Sequence, residues 1–485
     1  MAKLNIVFIA SEATPLAKTG GLADVAGSLP HALQHIGHRV TVILPFYRRH
    51  LFANNVQSTP LKSSIEMWAD GTRRNCPLHE AVIDGLRFVL IEQDDLYDRD
   101  GLYGPAGGAY EDNLLRYVLF DRVALEAAAQ LGQPVDILHC HDWQTGMIPM
   151  LLKAQYQHHI NIANAKTVYT IHNLAYQGVF PPQWIHRLGL PSHYFHQDGY
   201  EFHGQINCMK SGIESADAIT TVSPSYAEEI MTPEYGCHLE GFLHNHAERL
   251  FGIVNGLDIT DWDPVTDLII PANYGAEKIA GKKTCKKTLQ KDCGLTVSAD
   301  TPLLTLISRL ADQKGIDLLL ANAEKWLTRG YQLAILGSGD VHSEQALNQL
   351  ACSHSQQMFF HRGFNEALAR KIYAGGDIFL MPSRFEPCGL GQLMAMRYGT
   401  VPVVRATGGL RDTVIDYNSS RSHATGFHFT DATPKAFDVA LEQAIKVYQT
   451  PASWSRIRNR ALRRNSSWEA SAETYAKMYS SLLAE

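Results

Sequence analysis

Cysteine is sparse and unpaired in this chain: the 8 cysteines, at 76, 140, 208, 237, 285, 293, 352 and 388 of 485 residues, form no CxxC pair and no zinc-ligand spacing. That argues against a zinc module and for reduced thiols in a cytoplasm. A basic surplus is also absent. With 43 Lys and Arg against 49 Asp and Glu the formal charge is −6, the wrong sign for a protein whose main partner is nucleic acid. No apolar run is long enough for a membrane span or a signal peptide, and the start, Met1 leading into the strand pattern Leu4 to Ala10, has no transit-peptide character. The expectation is a cytoplasmic protein with no membrane partner. Short-period repeats and low-complexity tracts are missing, which argues against solenoids and disordered linkers. HExxH is missing as well, so the histidine-rich stretches predict no metal site.

What is present is a chain 45% hydrophobic and 19% charged, long enough for two or three packed domains. Its first 255 residues alternate short apolar runs with helical patterns. Leu4 to Ala10, Arg39 to Leu44, Asp136 to Cys140, Lys166 to Ile171, Ala218 to Val222 and Leu250 to Val254 read as strands. Leu22, Val25, Ala26, Leu29, Leu33 and Ile36 recur at helical spacing between the first two, making a βαβ unit and predicting parallel α/β. A turn-rich, charged stretch to Ala299, with Lys282, Lys283, Lys286 and Lys287, is expected to separate the halves. The pattern then restarts with strands at Leu303 to Ile307, Gln332 to Leu336, Met358 to His361, Asp377 to Met381 and Val401 to Val404. The predicted fold is α/β: two doubly wound, Rossmann-like domains facing across a cleft. Their bounds are 1–255, joined by an amphipathic closing helix over 466–485, and 256–465.

The chemistry-bearing residues fall at predicted strand ends, where an open parallel sheet binds ligands. Glu386 lies in the turn after Ile378 to Met381, between two expected helix N-termini, one near Gly389 and one after Thr407, Gly408 and Gly409. Helix N-termini attract anions, so the layout suits a phosphorylated ligand, with the carboxylate turned to its neutral sugar part. Lys18, Gly20 and Gly21 open the first helix, where paired glycines admit a ligand to the backbone and the lysine adds charge. That loop has neither GxGxxG nor GxxxxGK[ST] spacing. Arg309 and Lys314, just past Leu303 to Ile307, are placed to clamp a diphosphate. His139, His141 and Asp142 end one strand and His172 and Asn173 another; their polar side chains suit sugar hydroxyls better than a metal, with His139 also fitting a core histidine. Phe364 follows Arg362 and Gly363 and suits either the core or stacking on a base.

The strings KTGGLADV, HDWQ, HNLAYQG, VNGLD, SRLADQKGID, SRFEPCGLGQL and TGGL, in this order from Lys18 to Leu410, resemble the bacterial glycogen synthases and related starch synthases. These are retaining glucosyltransferases of the glycosyltransferase-B fold. The resemblance spans essentially the whole chain. It implies a hexosyltransferase that moves glucose from ADP-glucose to the non-reducing end of an α-1,4-glucan such as glycogen, with no cofactor and no metal, ADP-glucose being a substrate. Glycogen rather than starch rests on the missing transit peptide. By the same resemblance Glu386, Arg309, Lys314, His172 and Asp142 are the catalytic set. Lys18, Gly20, Gly21, Asn255, Phe364, Cys388, Gly389, Leu390, Thr407, Gly408 and Gly409 would bind the donor, with Phe364 beside the adenine.

Retention is compatible with a covalent glycosyl-enzyme or with front-face attack assisted by the leaving phosphate. Front-face substitution is the expectation, because the motif supplies no evident second carboxylate; broader transferases of the fold often carry a second glutamate eight positions on, and Met394 at that position fits the glycogen and starch synthases better. Two alternatives remain: a non-catalytic glucan-binding protein on the same scaffold, against which the intact Lys18, Arg309, Lys314 and Glu386 speak, and a transferase preferring UDP-glucose. A nicotinamide oxidoreductase lacks its glycine fingerprint.

Overall fold

Parallel strands are buried on both faces and need helices to cover both; the computed structural model forms one all-parallel sheet and one that is parallel apart from an antiparallel edge. It describes residues 3–105 and 108–484, with backbone alone at 52 and 53. Residues 1, 2, 106, 107 and 485, which the expected domain bounds include, lie outside the described residues. The chain divides into two compact units. Unit 1 runs to Val222 and adds Ala227–Gly256 and the closing helix from Trp468; unit 2 comprises Ser223–Tyr226 and Leu257–Ser467.

In unit 1 the strands are β1 Asn5–Ile9, β2 Arg39–Pro45, β3 Thr59–Ala69, β4 Thr72–Ile83, β5 Leu86–Ile91, β6 Ile137–His141 and β7 Lys166–Ile171. β8 Val179–Phe180, β9 Glu201–Phe202 and β10 Gln205–Asn207 form a small separate sheet, and β11 Ala218–Thr221 and β12 Leu250–Gly252 complete the main one. The main sheet is nine-stranded in the order β12-β11-β7-β6-β1-β2-β5-β4-β3. Strand order reverses beside β1, so the loops after β1 and β6 flank the switch point where such sheets bind ligands. The closing helix, Trp468–Leu482, buries Trp468, Ala472, Tyr475 and Tyr479 in the same core as Phe8, Leu29 and Leu33.

Unit 2 contains β13 Leu303–Ile307, β14 Gln332–Gly337, β15 Met358–Arg362, β16 Ile378–Met381, β17 Val401–Arg405 and β18 Phe427–Phe429. They form an all-parallel six-stranded sheet, β15-β14-β13-β16-β17-β18, whose order reverses between β13 and β16.

Two expectations need correction. The unit 1 sheet is not purely parallel: β4 runs antiparallel to both β3 and β5, and the sequence reading placed no strand between Leu44 and Asp136. The charged stretch before Ala299 is not all turn, since Ala280–Asp292 is a helix. Its inward stripe holds Lys282, Cys285, Lys286 and Leu289, and two lysines on the core face hide the apolar periodicity. Lys282 Nζ donates to Ala374 O at 3.1 Å, Tyr398 O at 2.9 Å and Thr400 Oγ1 at 3.0 Å. Lys286 Nζ pairs with Asp377 Oδ2 at 2.7 Å.

Candidate active site

The switch point of unit 2 brings together the loops after β13 and β16. Arg384 N–H donates to Gln313 O at 2.8 Å, and Gln313 Nε2 donates to Phe385 O at 3.2 Å. Gly315 lies in the left-handed region at φ 64°, and a Cβ there would meet Pro382 O at 2.1 Å, so only glycine allows this approach. The result is a buried ion pair: Lys314 Nζ lies 2.6 Å from Glu386 Oε2, with side chains 15% and 8% exposed. Ser383 Oγ, absent from the sequence-derived set, donates to the same oxygen at 3.0 Å. A buried carboxylate needs such partners to remain charged.

Thr407, Gly408 and Gly409 reach the same loop from the end of β17. Gly409 N–H donates to Glu386 O at 3.0 Å, so this N–H serves the protein itself, in a place the sequence reading reserved for an anion. Gly408 has φ 43°, and a Cβ on it would stand 2.1 Å from Glu386 O. Cys388 is buried, while Gly389 and Leu390 are half-buried on the same turn. The following helix begins at Gly391, with Leu390 at the N-cap position but making no side-chain cap bond. Ser223 Oγ donates to Pro387 O at 2.7 Å, a brace the sequence did not signal. Arg309 is exposed. Phe364 is 83% exposed, which removes its core reading.

In unit 1, Asp142 and His172 meet at adjacent strand ends. Asp142 Oδ1 accepts the His172 backbone N–H at 2.8 Å, and a second bond comes from the Asn173 backbone. Burial pushes the Asp142 carboxyl up to about 7 against those bonds. Asp142 sits at φ 56°, unusual for a non-glycine residue and a strain of about 1–3 kcal/mol that its carboxylate bonds help to offset. His172 Nε2 lies 3.0 Å from His141 Nδ1. Burial drives His172 down to about 3 and His141 well below its ordinary value, so both rings are neutral at physiological pH. His139 takes the core role, bonded to Thr170 Oγ1 at 2.6 Å and Tyr479 OH at 2.8 Å. Asn255 is buried with Oδ1 lacking a hydrogen-bond partner. Lys18 Nζ bonds Asp24 Oδ1 at 2.6 Å, and Gly20 and Gly21 lead into the helix Gly21–His35. Among the described residues no group of three or more His, Cys, Asp or Glu could hold a metal ion, and no helix is long and apolar enough to cross a membrane.

Residues 5–245 match the family model of the starch synthase catalytic domain, and residues 294–460 that of the group 1 glycosyl transferases. Over 480 residues, 98% of each chain, the protein is 44% identical to the glycogen synthase of Syntrophotalea carbinolica. The chain belongs to the glycogen and starch synthase family. Glycogen synthase 2 of Geobacter sulfurreducens is likewise 44% identical over 476 residues, 98% of each chain. The catalytic domain of starch synthase IV from Arabidopsis thaliana, solved with ADP and acarbose, superposes at a TM-score of 0.92, 33% identity and full coverage of both chains. Sucrose-phosphate synthase from Thermosynechococcus elongatus shares the fold at a TM-score of 0.60 and 18% identity, over 99% of this chain and 100% of its own. Membership makes the chain a hexosyltransferase with the glycosyltransferase-B fold and a glycogen synthase function.

Proposed function

We propose that the protein transfers glucose from ADP-glucose to the non-reducing end of an α-1,4-glucan with retention of configuration. The observation that carries the site assignment is the buried Lys314–Glu386 pair at the unit 2 switch point. Starch synthase IV, which binds ADP and acarbose, supports an adenine nucleotide donor and a glucan-like acceptor. In this reading Arg309 and Lys314 hold the diphosphate and stabilise the charge that develops as ADP departs, so that the protein itself supplies the cations. Phe364, exposed after β15, stacks on the adenine. Cys388, Gly389 and Leu390, with the Thr407–Gly409 turn, shape the donor side. Lys18, Gly20 and Gly21 form the unit 1 donor loop, and Asp142, His172 and Asn255 contact the sugar.

Glu386 orients and electrostatically supports the glucosyl group. A carboxylate whose Oε2 is held by an ammonium and a hydroxyl is a weakened nucleophile, which favours front-face attack over a glycosyl-enzyme. Incubation with glycogen and radiolabelled ADP-glucose or UDP-glucose tests the reading. Elongated glucan from ADP-glucose, with slower transfer from UDP-glucose, is expected; no incorporation from either refutes the enzyme, and faster transfer from UDP-glucose refutes the donor. Glu386→Ala should lose turnover by about 10³-fold while still binding ADP.

A further inference from the structure

In sequence the Lys18–Gly21 backbone looks open to an external ligand, yet in the structure a carboxylate already takes two of its amides, those of Thr19 and Gly20. Glu12, three residues beyond β1, is 3% exposed. Its Oε2 accepts the Thr19 backbone N–H, and the Thr19 hydroxyl at 2.9 Å. The Gly20 backbone and the Tyr103 hydroxyl also bond the carboxyl group, and Tyr103 OH is tied to Ser11 Oγ at 2.7 Å. Burial raises the pKa of the Glu12 carboxyl, and the Thr19, Gly20 and Tyr103 donors counter that penalty by favouring its charged form. The loop is therefore held from its inner side. Outward it presents Lys18, whose side chain is 53% exposed and steadied by Asp24.

We propose that Glu12 is a positioning residue for the donor: its carboxylate takes the Thr19 and Gly20 amides, fixing the loop so that it offers Lys18, and not a backbone anion cradle, to the donor phosphates. The inference rests on the reading of Lys18–Gly21 as the donor loop. It assigns the loop's glycines to a compact turn over Glu12 and its affinity to one ammonium group. Glu12 acts only through the loop, so removing it should matter to donor affinity more than to turnover.

The experiment compares wild type, Glu12→Ala, Glu12→Gln, Lys18→Ala and Glu12→Ala/Lys18→Ala by KM for ADP-glucose, kcat and amide exchange at Thr19 and Gly20 without ligand. Glu12→Ala is expected to raise the KM by about tenfold or more with a smaller fall in kcat. Glu12→Gln, which keeps one acceptor oxygen, should lie between, and both amides should lose protection in Glu12→Ala. Once Lys18 is gone, adding Glu12→Ala should raise the KM no further. A KM within about twofold of wild type in Glu12→Ala, or multiplied effects in the double variant, overturns the proposal. If Glu12→Ala does not fold, the near-isosteric Glu12→Gln decides by the same KM comparison and by its own cycle with Lys18→Ala. A folded wild type inactive with ADP-glucose would sink the donor reading instead, and amide protection unchanged in both Glu12 variants would then overturn the role of Glu12 in fixing the loop.

Discussion

At Glu386 the carboxylate and its cation are so deeply placed that function and stability share one contact. Removing only the cation leaves a buried anion, which typically costs about 3–5 kcal/mol, whereas removing both charges is far milder. Lys314→Met should therefore lower the unfolding free energy by roughly 2–4 kcal/mol and kcat/KM by about 10³-fold. The double variant Lys314→Met/Glu386→Gln should recover most of the stability and none of the activity. Urea unfolding alongside turnover checks this, and a double variant as unstable as the single one would refute the pair as the cause. The sequence displays Glu386, Arg309 and Lys314 because each follows an apolar run with a glycine nearby. Ser383 and Glu12 are less visible. Each acts on a main chain or another side chain rather than forming a motif of its own, and a lone acid near a strand end, such as Glu12, is indistinguishable in sequence from a surface carboxylate.

Among the elements, strands buried on both faces were legible almost to the residue: Lys166–Ile171 and Leu303–Ile307 have the expected bounds. The β3–β4 hairpin was not, because β3 exposes most of its length, carries Lys62 and Glu66, and lies at the sheet edge, where polar residues guard against further pairing. The helix Ala280–Asp292 hides for the opposite reason, with charge turned inward. Burial pushes the Lys282 ammonium down to about 7 from 10.5. Between those values the unfolded chain holds a proton that the folded one has released, so stability rises with pH over that window, and the burial penalty is complete below about 7. The slope from this group is at most about 1.4 kcal/mol per pH unit. Unfolding of wild type and Lys282→Met at pH 7, 8 and 9 should show a slope smaller by that one-proton contribution in the variant. Equal slopes would count against the assignment.

For the whole molecule, the consequential feature is that the last helix in sequence belongs to the first unit in structure. Tyr479 bonds His139 on β6, and His139 bonds Thr170 on β7, so the closing helix is wired to the two strands whose ends carry Asp142 and His172. Burial holds His139 neutral, so its Nδ1 needs the tyrosine as a partner. Tyr479→Phe preserves the ring and removes only that partner, which should cost about 1–3 kcal/mol. The loss should appear as faster amide exchange in β6, β7 and the closing helix, with peptides of β13 to β17 unchanged, because unit 2 has its own core around Trp326 and Phe437. Uniform loss of protection in both sheets would mean that the two cores unfold as one. Loss confined to the closing helix would mean that the tyrosine only anchors its own element. The expected pattern would place the chain's last turns among the supports of the Asp142 and His172 strand ends, although more than 300 residues separate Tyr479 from His139.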